Sequence, residues 1–116
     1  MSSRVYVLAQ FKPKEGKEAA LFEVLKALEP DAYREEGCVQ YRVTRQIVHP
    51  SATNNEYTIV FNEIWQDAAA WSAHGRRKQI QQFFETQVQA DTGLVEDAIV
   101  TAYTDESADF DAPVFE

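Results

Sequence analysis

Hydrophobic periodicity constrains this chain most: it switches between two and about 3.6 residues in a fixed order. From Arg4 to Phe11, Val5, Val7, Ala9 and Phe11 fall on one side of a strand and Tyr6 and Leu8 on the other. Pro13 and Gly16 break that run. Residues 17–37 then read as a helix, with Leu21, Leu25, Leu28 and Ala32 on one apolar face. Pro30 predicts a kink or a second short helix ending at Gly37. Period two returns from Cys38 to Val48, with Val39, Tyr41, Val43, Arg45 and Ile47 on one face and Gln40, Arg42 and Thr44 on the other. A loop rich in Pro, Ser and Asn runs from His49 to Asn55, and His49 reads as exposed. A third strand follows from Glu56 to Trp65, with Tyr57, Ile59, Phe61, Glu63 and Trp65 sharing a face. Asp67 is placed to cap a short helix that Gly75 would stop. A further helix is predicted over Arg76–Asp91, its inward stripe of Ile80, Phe83, Phe84 and Val88 read first as core packing. The fourth strand is Leu94–Tyr103.

The order β-α-β-β-α-β is that of the ferredoxin-like, split βαβ motif, an α+β fold whose antiparallel sheet carries helices on one face only. The domain is expected to span residues 1–103. The opposite sheet face keeps Tyr6, Leu8, Val60 and Ile64 without a helix to cover them. An apolar face of that kind calls for a partner, and a homodimer that stacks two sheets is the simplest one.

Composition excludes several classes of function. A formal net charge of −8 argues against sequence-independent nucleic-acid binding, which leaves a basic footprint. The one basic cluster, Gly75 to Lys78, reads as a solvated helix start. No apolar run approaches the roughly 20 residues needed to span a bilayer, and the first residues lack a signal-type apolar region, so a cytoplasmic, membrane-free protein is expected. The single cysteine, Cys38, allows neither an intrachain disulfide nor a multi-cysteine metal site, and reads as a small buried residue at a strand start. The acidity gathers in residues 104–116, where Asp105, Glu106, Asp109, Asp111 and Glu116 meet no basic residue. Composition reads this tail as disordered. The expectation is nonetheless that Phe110, Val114 and Phe115 dock onto the body or onto a partner subunit.

The stretch "EEGCVQYRV" followed by "NEIWQDAAAWSAHGRRKQIQQFF" resembles the antibiotic biosynthesis monooxygenase family. The matching positions are Glu36, Gly37, Cys38 and Tyr41, then Glu63, Trp65, Asp67 and His74. "KPKEGKE" resembles the family's first turn, and the resemblance extends over about Val5 to Tyr103. It implies a dimeric α/β barrel of two ferredoxin-like subunits. It also implies oxidation of an aromatic phenol or quinol by dioxygen without flavin, haem or metal. The sequence itself offers no Gly-rich dinucleotide loop and no metal-ligand cluster, a pattern that fits cofactor-free oxygenation and fits absence of catalysis equally. A haem-degrading branch exists, but the short-helix position of His74 matches the quinol-type members better.

Two residues are the catalytic candidates. Glu63 stands in an otherwise apolar strand, where an unpaired carboxylate costs several kcal/mol, as an order of magnitude. It could face solvent, accept from backbone amides at the following turn, or pair with His74. The expectation taken forward is the pair, in which Glu63 fixes the His74 tautomer and raises its basicity. His74 suits proton transfer near neutral pH, although a histidine there can also serve the C-terminus of its own helix. Trp65, Tyr41, Tyr57, Phe61, Phe83 and Phe84 are expected to wall a pocket for a planar aromatic substrate, with Trp71 left to core packing. Arg42 and Asn62 face away from it. The alternative function is a non-catalytic dimeric domain that binds a small aromatic ligand.

Overall fold

The computed structural model describes residues 3–107. The docking expected of Phe110, Val114 and Phe115 lies outside the described residues. The elements in chain order are β1 (Val5–Pro13), α1 (Glu18–Lys26), α2 (Glu29–Tyr33), β2 (Cys38–Arg45), β3 (Ile59–Trp65), α3 (Ala68–Gly75), α4 (Lys78–Phe83), a π-helical segment (Phe84–Gln89) and β4 (Val95–Tyr103). The four strands form one sheet in the order β2-β3-β1-β4, antiparallel throughout. This is the ferredoxin-like arrangement that the element order predicts.

The alternation predicted for β1 and β3 sets which face is core. Val5, Val7, Ala9 and Phe11 of β1 are buried, as are Ile59, Phe61, Glu63 and Trp65 of β3, and the residues between them are half-buried. Against this inner face α1 lays Leu21 and Leu25, both fully buried, and α2 lays Ala32. Side chains also pin the helices to the strands. Thr58 donates its hydroxyl to Glu18 Oε2 at 2.6 Å, at the start of α1. The backbone N–H of Val43 donates to Glu29 Oε2 at 2.8 Å, which satisfies a group on the open edge of β2.

Three details depart from the pattern. The second strand ends at Arg45 and the third begins at Ile59, so both are shorter than the periodicity suggests, and Ile47 is exposed. Val39 does not join Tyr41 and Val43 in the core. The register shifts between Cys38 and Gln40, and a bulge turns Val39 outward. The helix expected over Arg76–Asp91 is α4 followed by a wider π-helical segment. Pro30 sits in the first turn of α2, where a missing N–H costs nothing, so it starts a helix rather than kinking one.

Gly37 is the turn on which the two halves of the fold meet. Its φ is +84°, a conformation that side chains resist, and a Cβ there would lie 2.6 Å from the Cβ of Ala70 on α3. Its carbonyl accepts from Gln66 N–H at 2.8 Å, which ties the β2 entry to the end of β3. Gly37→Ala is expected to destabilise the fold by roughly 2 kcal/mol, from positive φ and overpacking together, in chemical denaturation against wild type.

Candidate active site

Period two places Glu63 and Trp65 side by side on the inner face of β3, and that proximity decides what Glu63 meets. The Trp65 indole N–H donates to Glu63 Oε1 at 2.9 Å, a fully buried hydrogen bond. Glu63 therefore does not pair with His74, contrary to the expectation from sequence. The imidazole is instead engaged by Glu35, from the turn that joins α2 to β2, whose oxygens lie 3.0 and 3.1 Å from Nδ1. Both side chains are nearly sealed, with His74 6% and Glu35 7% exposed. Glu35 is the functional candidate that the sequence reading missed. It adjoins the recognisable Glu36-Gly37-Cys38 stretch, but a local pattern does not say which glutamate turns inward.

His74 arrives at this position on α3. Asp67 caps that helix as expected, its Oδ1 accepting from the Ala70 N–H at 2.8 Å. Gly75 does not end the helix in a left-handed turn. The chain leaves through Arg76, and Arg77 takes an extended conformation to begin α4. The imidazole rests against two aromatic rings, with centroids 4.6 Å from Trp65 and 4.9 Å from Tyr41. Trp65 thus stands between the two candidate catalytic residues, holding Glu63 through its N–H and His74 through its ring.

A carboxylate can only accept, so the hydrogen of a neutral His74 sits on Nδ1 and the lone pair on Nε2. Nε2 makes no hydrogen bond among the described residues, and His74 lines a cavity of about 320 Å³ between the sheet and the helices. That volume lies at the lower end of the range for small-molecule sites. Its walls are apolar: Phe11, Tyr41, Phe61, Trp71, Phe83 and Phe84 line it, along with Leu25, Leu28 and Ile80. Tyr41 stacks on Phe61 at 4.2 Å, and Phe11 meets Phe83 edge to face at 5.5 Å. Glu63 is the other ionisable side chain of the lining besides His74 and Tyr41. Of the residues expected to wall the pocket, Tyr41, Phe61, Phe83 and Phe84 do so. Tyr57 does not: it lies at the far end near the start of β3 and donates its hydroxyl to Asp97. Trp65 is fully buried behind the cavity as a support, and Trp71, assigned to the core from sequence, lines the cavity instead.

Burial tunes these groups in opposite directions. It lowers the pKa of His74 below the ordinary 6.5, against the opposing pull of Glu35. It raises that of Glu63 to about 7, with the Trp65 hydrogen bond working against the rise and the charge of Glu35 adding to it. It also drives the Tyr41 phenol far above its usual value, and lifts the Cys38 thiol to about 11, so Cys38 is no thiolate nucleophile. Among the described residues no group of three or more His, Cys, Asp or Glu side chains is arranged to hold a metal ion.

The sequence over most of the domain points the same way as its fold. The family described as antibiotic biosynthesis monooxygenase matches residues 4–86. The chain belongs to that family. Among solved structures it is similar to protein SO0527 from Shewanella oneidensis, at 31% identity over 90% of this chain and 92% of that one, with a TM-score of 0.73. An antibiotic biosynthesis monooxygenase candidate from Deinococcus radiodurans superposes with a TM-score of 0.70 at 19% identity, covering 85% of this chain and 89% of that one. A dabb family protein with a ferredoxin-like fold from Mesorhizobium loti does so with 0.66 at 16% identity, covering 88% and 96%. At those lower identities the likeness concerns fold. No curated protein matches this chain. No helix is long and apolar enough to cross a membrane among the described residues.

The Glu63 shift sets a sign for stability. Its folded pKa of about 7 lies above the unfolded 4.5, so its stabilising protonation is complete below pH 4.5 and is lost as pH rises through 7. Glu63→Gln keeps the shape and an acceptor for Trp65 but cannot ionise. Its stability relative to wild type is expected to increase between pH 4.5 and 8, by up to about 3 kcal/mol, in urea melts across that range.

Proposed function

We propose that this family member is a cofactor-independent monooxygenase that oxidises an aromatic phenol or quinol with dioxygen, working as a cytoplasmic homodimer. The observation that carries the reading is His74: it lines an aromatic cavity, its Nδ1 is held by buried Glu35, and its Nε2 has no hydrogen-bond partner among the described residues. That is the arrangement of an oriented base facing an apolar binding site. Dioxygen is a triplet and reacts slowly with closed-shell molecules, but a phenolate can give it one electron. The chain's task is then to hold the phenol flat between aromatic walls, remove its proton at Nε2, and keep water from the anion. Tyr41, Phe61, Trp71 and Phe83 supply the walls. Glu35 fixes the tautomer that leaves Nε2 basic.

Support for the homodimer comes from the sheet face away from the helices. On β4, Ile99 is 39% and Tyr103 52% exposed, and they pair with Gln10 and Tyr6 of β1 beside half-buried Leu8. Exposed apolar side chains on a sheet face that carries no helix suit a second copy of the chain. Ile99→Glu is expected to shift the protein from dimer to monomer in size-exclusion chromatography with light scattering. A wild-type monomer at micromolar concentration would refute the assembly.

Oxygen uptake with a panel of hydroquinones and polycyclic phenols tests the reaction, with superoxide dismutase and catalase controlling for autoxidation. His74→Ala is expected to lower protein-dependent uptake by about 100-fold or more, and Glu35→Gln by about 10-fold, in keeping with the loss of a base and of its orienting partner. Phenols that bind without protein-dependent uptake would favour a ligand-binding domain.

A further inference from the structure

Freed from His74 by its bond to Trp65, Glu63 is a buried ionisable group that the base chemistry does not use. It is 5% exposed, it lines the same cavity as His74, and only one of its oxygens has a protein donor among the described residues. Its second oxygen, Oε2, accepts no hydrogen bond among the described residues, and the residue borders the cavity. The Trp65 N–H fixes Oε1 as the accepting oxygen. When Glu63 is a neutral acid, its proton therefore sits on Oε2, the oxygen with no protein donor among the described residues.

We propose that Glu63 is a catalytic acid that delivers its proton to the distal oxygen of a substrate-bound peroxide, a role distinct from that of His74. This rests on the monooxygenase reading above. His74 takes the phenol proton. The phenolate passes one electron to dioxygen, and the radical pair combines at an unsubstituted ring carbon para to the phenol oxygen. His74 returns its proton to the terminal oxygen, giving a hydroperoxide. In the next step His74 removes the C–H hydrogen from that carbon, the carbonyl forms, and the O–O bond breaks. The distal OH departs with the Glu63 proton as water. Proton transfer from His74 to Glu63 resets both groups. The sum is phenol plus dioxygen to quinone plus water: the substrate loses four electrons, and dioxygen gains four.

Acid and base must hold opposite protonation states at once, and their surroundings provide for this. His74 titrates below 6.5 because it is buried, and Glu63 near 7 for the same reason. The titratable groups facing Glu63 are Glu35 from the turn before β2, Cys38 and Tyr41 from β2, and His74 from α3. The opposite directions of these shifts, downward for His74 and upward for Glu63, favour a neutral base beside a neutral acid.

Glu63→Gln retains the Trp65 contact and removes only the acid. With a phenol that the wild type oxidises, the variant is expected to keep consuming oxygen but to release about ten-fold more superoxide and hydrogen peroxide per oxygen consumed, because the distal oxygen lacks its proton donor. Catalase should then return about ten-fold more of the consumed oxygen in the variant than in wild type. A variant with wild-type coupling and rate overturns the inference while leaving the monooxygenase reading intact. A wild type that consumes no oxygen with any phenol overturns both. Infrared spectroscopy gives a readout independent of turnover: at pH 6 the wild type should show a protonated carboxyl stretch that Glu63→Gln lacks, and its absence overturns the acid role.

Discussion

The register of β3 between β1 and β2 is the constraint on which the site depends. Side chains alternate with a period of two, so a slip of one residue would send Ile59, Phe61, Glu63 and Trp65 to the opposite face together. Burying the three apolar members contributes about 1.5–3 kcal/mol each and opposes that slip. Glu63 is carried inward by its neighbours, at the cost of desolvating a carboxyl group. The structure offsets this cost locally through the Trp65 N–H, and protonation offsets more of it, which explains the upward shift of Glu63.

Trp65 links the two halves of the site. Its indole is fully buried, binds the Glu63 carboxyl at one edge, and rests against the His74 imidazole. His74 in turn is held by Glu35, so four side chains from β3, α3 and the β2 entry are fixed relative to one another. The turn at Gly37 makes this possible. Its positive φ and the lack of a Cβ let the β2 entry approach α3 closely, which brings Glu35 to His74. A glycine two residues from the buried carboxylate that holds His74 is thus part of the site's geometry, although its own atoms do no chemistry.

Much of this was legible in the sequence. The alternation from Val5 to Phe11 and from Ile59 to Trp65 gave the core faces. The order of periods gave the topology, and Asp67 gave the start of α3. Glu63 stood out as a carboxylate in an otherwise apolar strand, and His74 through the family resemblance and its fitness for proton transfer. The bond between Glu63 and Trp65 was also readable in principle, since residues two apart on a strand share a face and indole is a donor in need of an acceptor. The error over Glu63 came from weighing a distant histidine above that near neighbour. Tyr57 was placed on the correct face, but the cavity does not extend along the whole strand, so a shared face was insufficient. Val39 escaped prediction because a bulge leaves no mark in periodicity until the pairing strand is known.

The sequence by itself determined the fold and the chemical character of the cavity. Both follow from local rules: period, capping, turn residues and the number of aromatics that an inner face can hold. Tertiary structure alone decided which carboxylate serves His74, because Glu35 and His74 are 39 residues apart and meet only when the Gly37 turn packs on α3. It also decided that Trp71 faces the cavity and Trp65 lies behind it. Contacts of that kind depend on how elements pack, and packing is set by the complementary shapes of distant surfaces rather than by any stretch of sequence read alone.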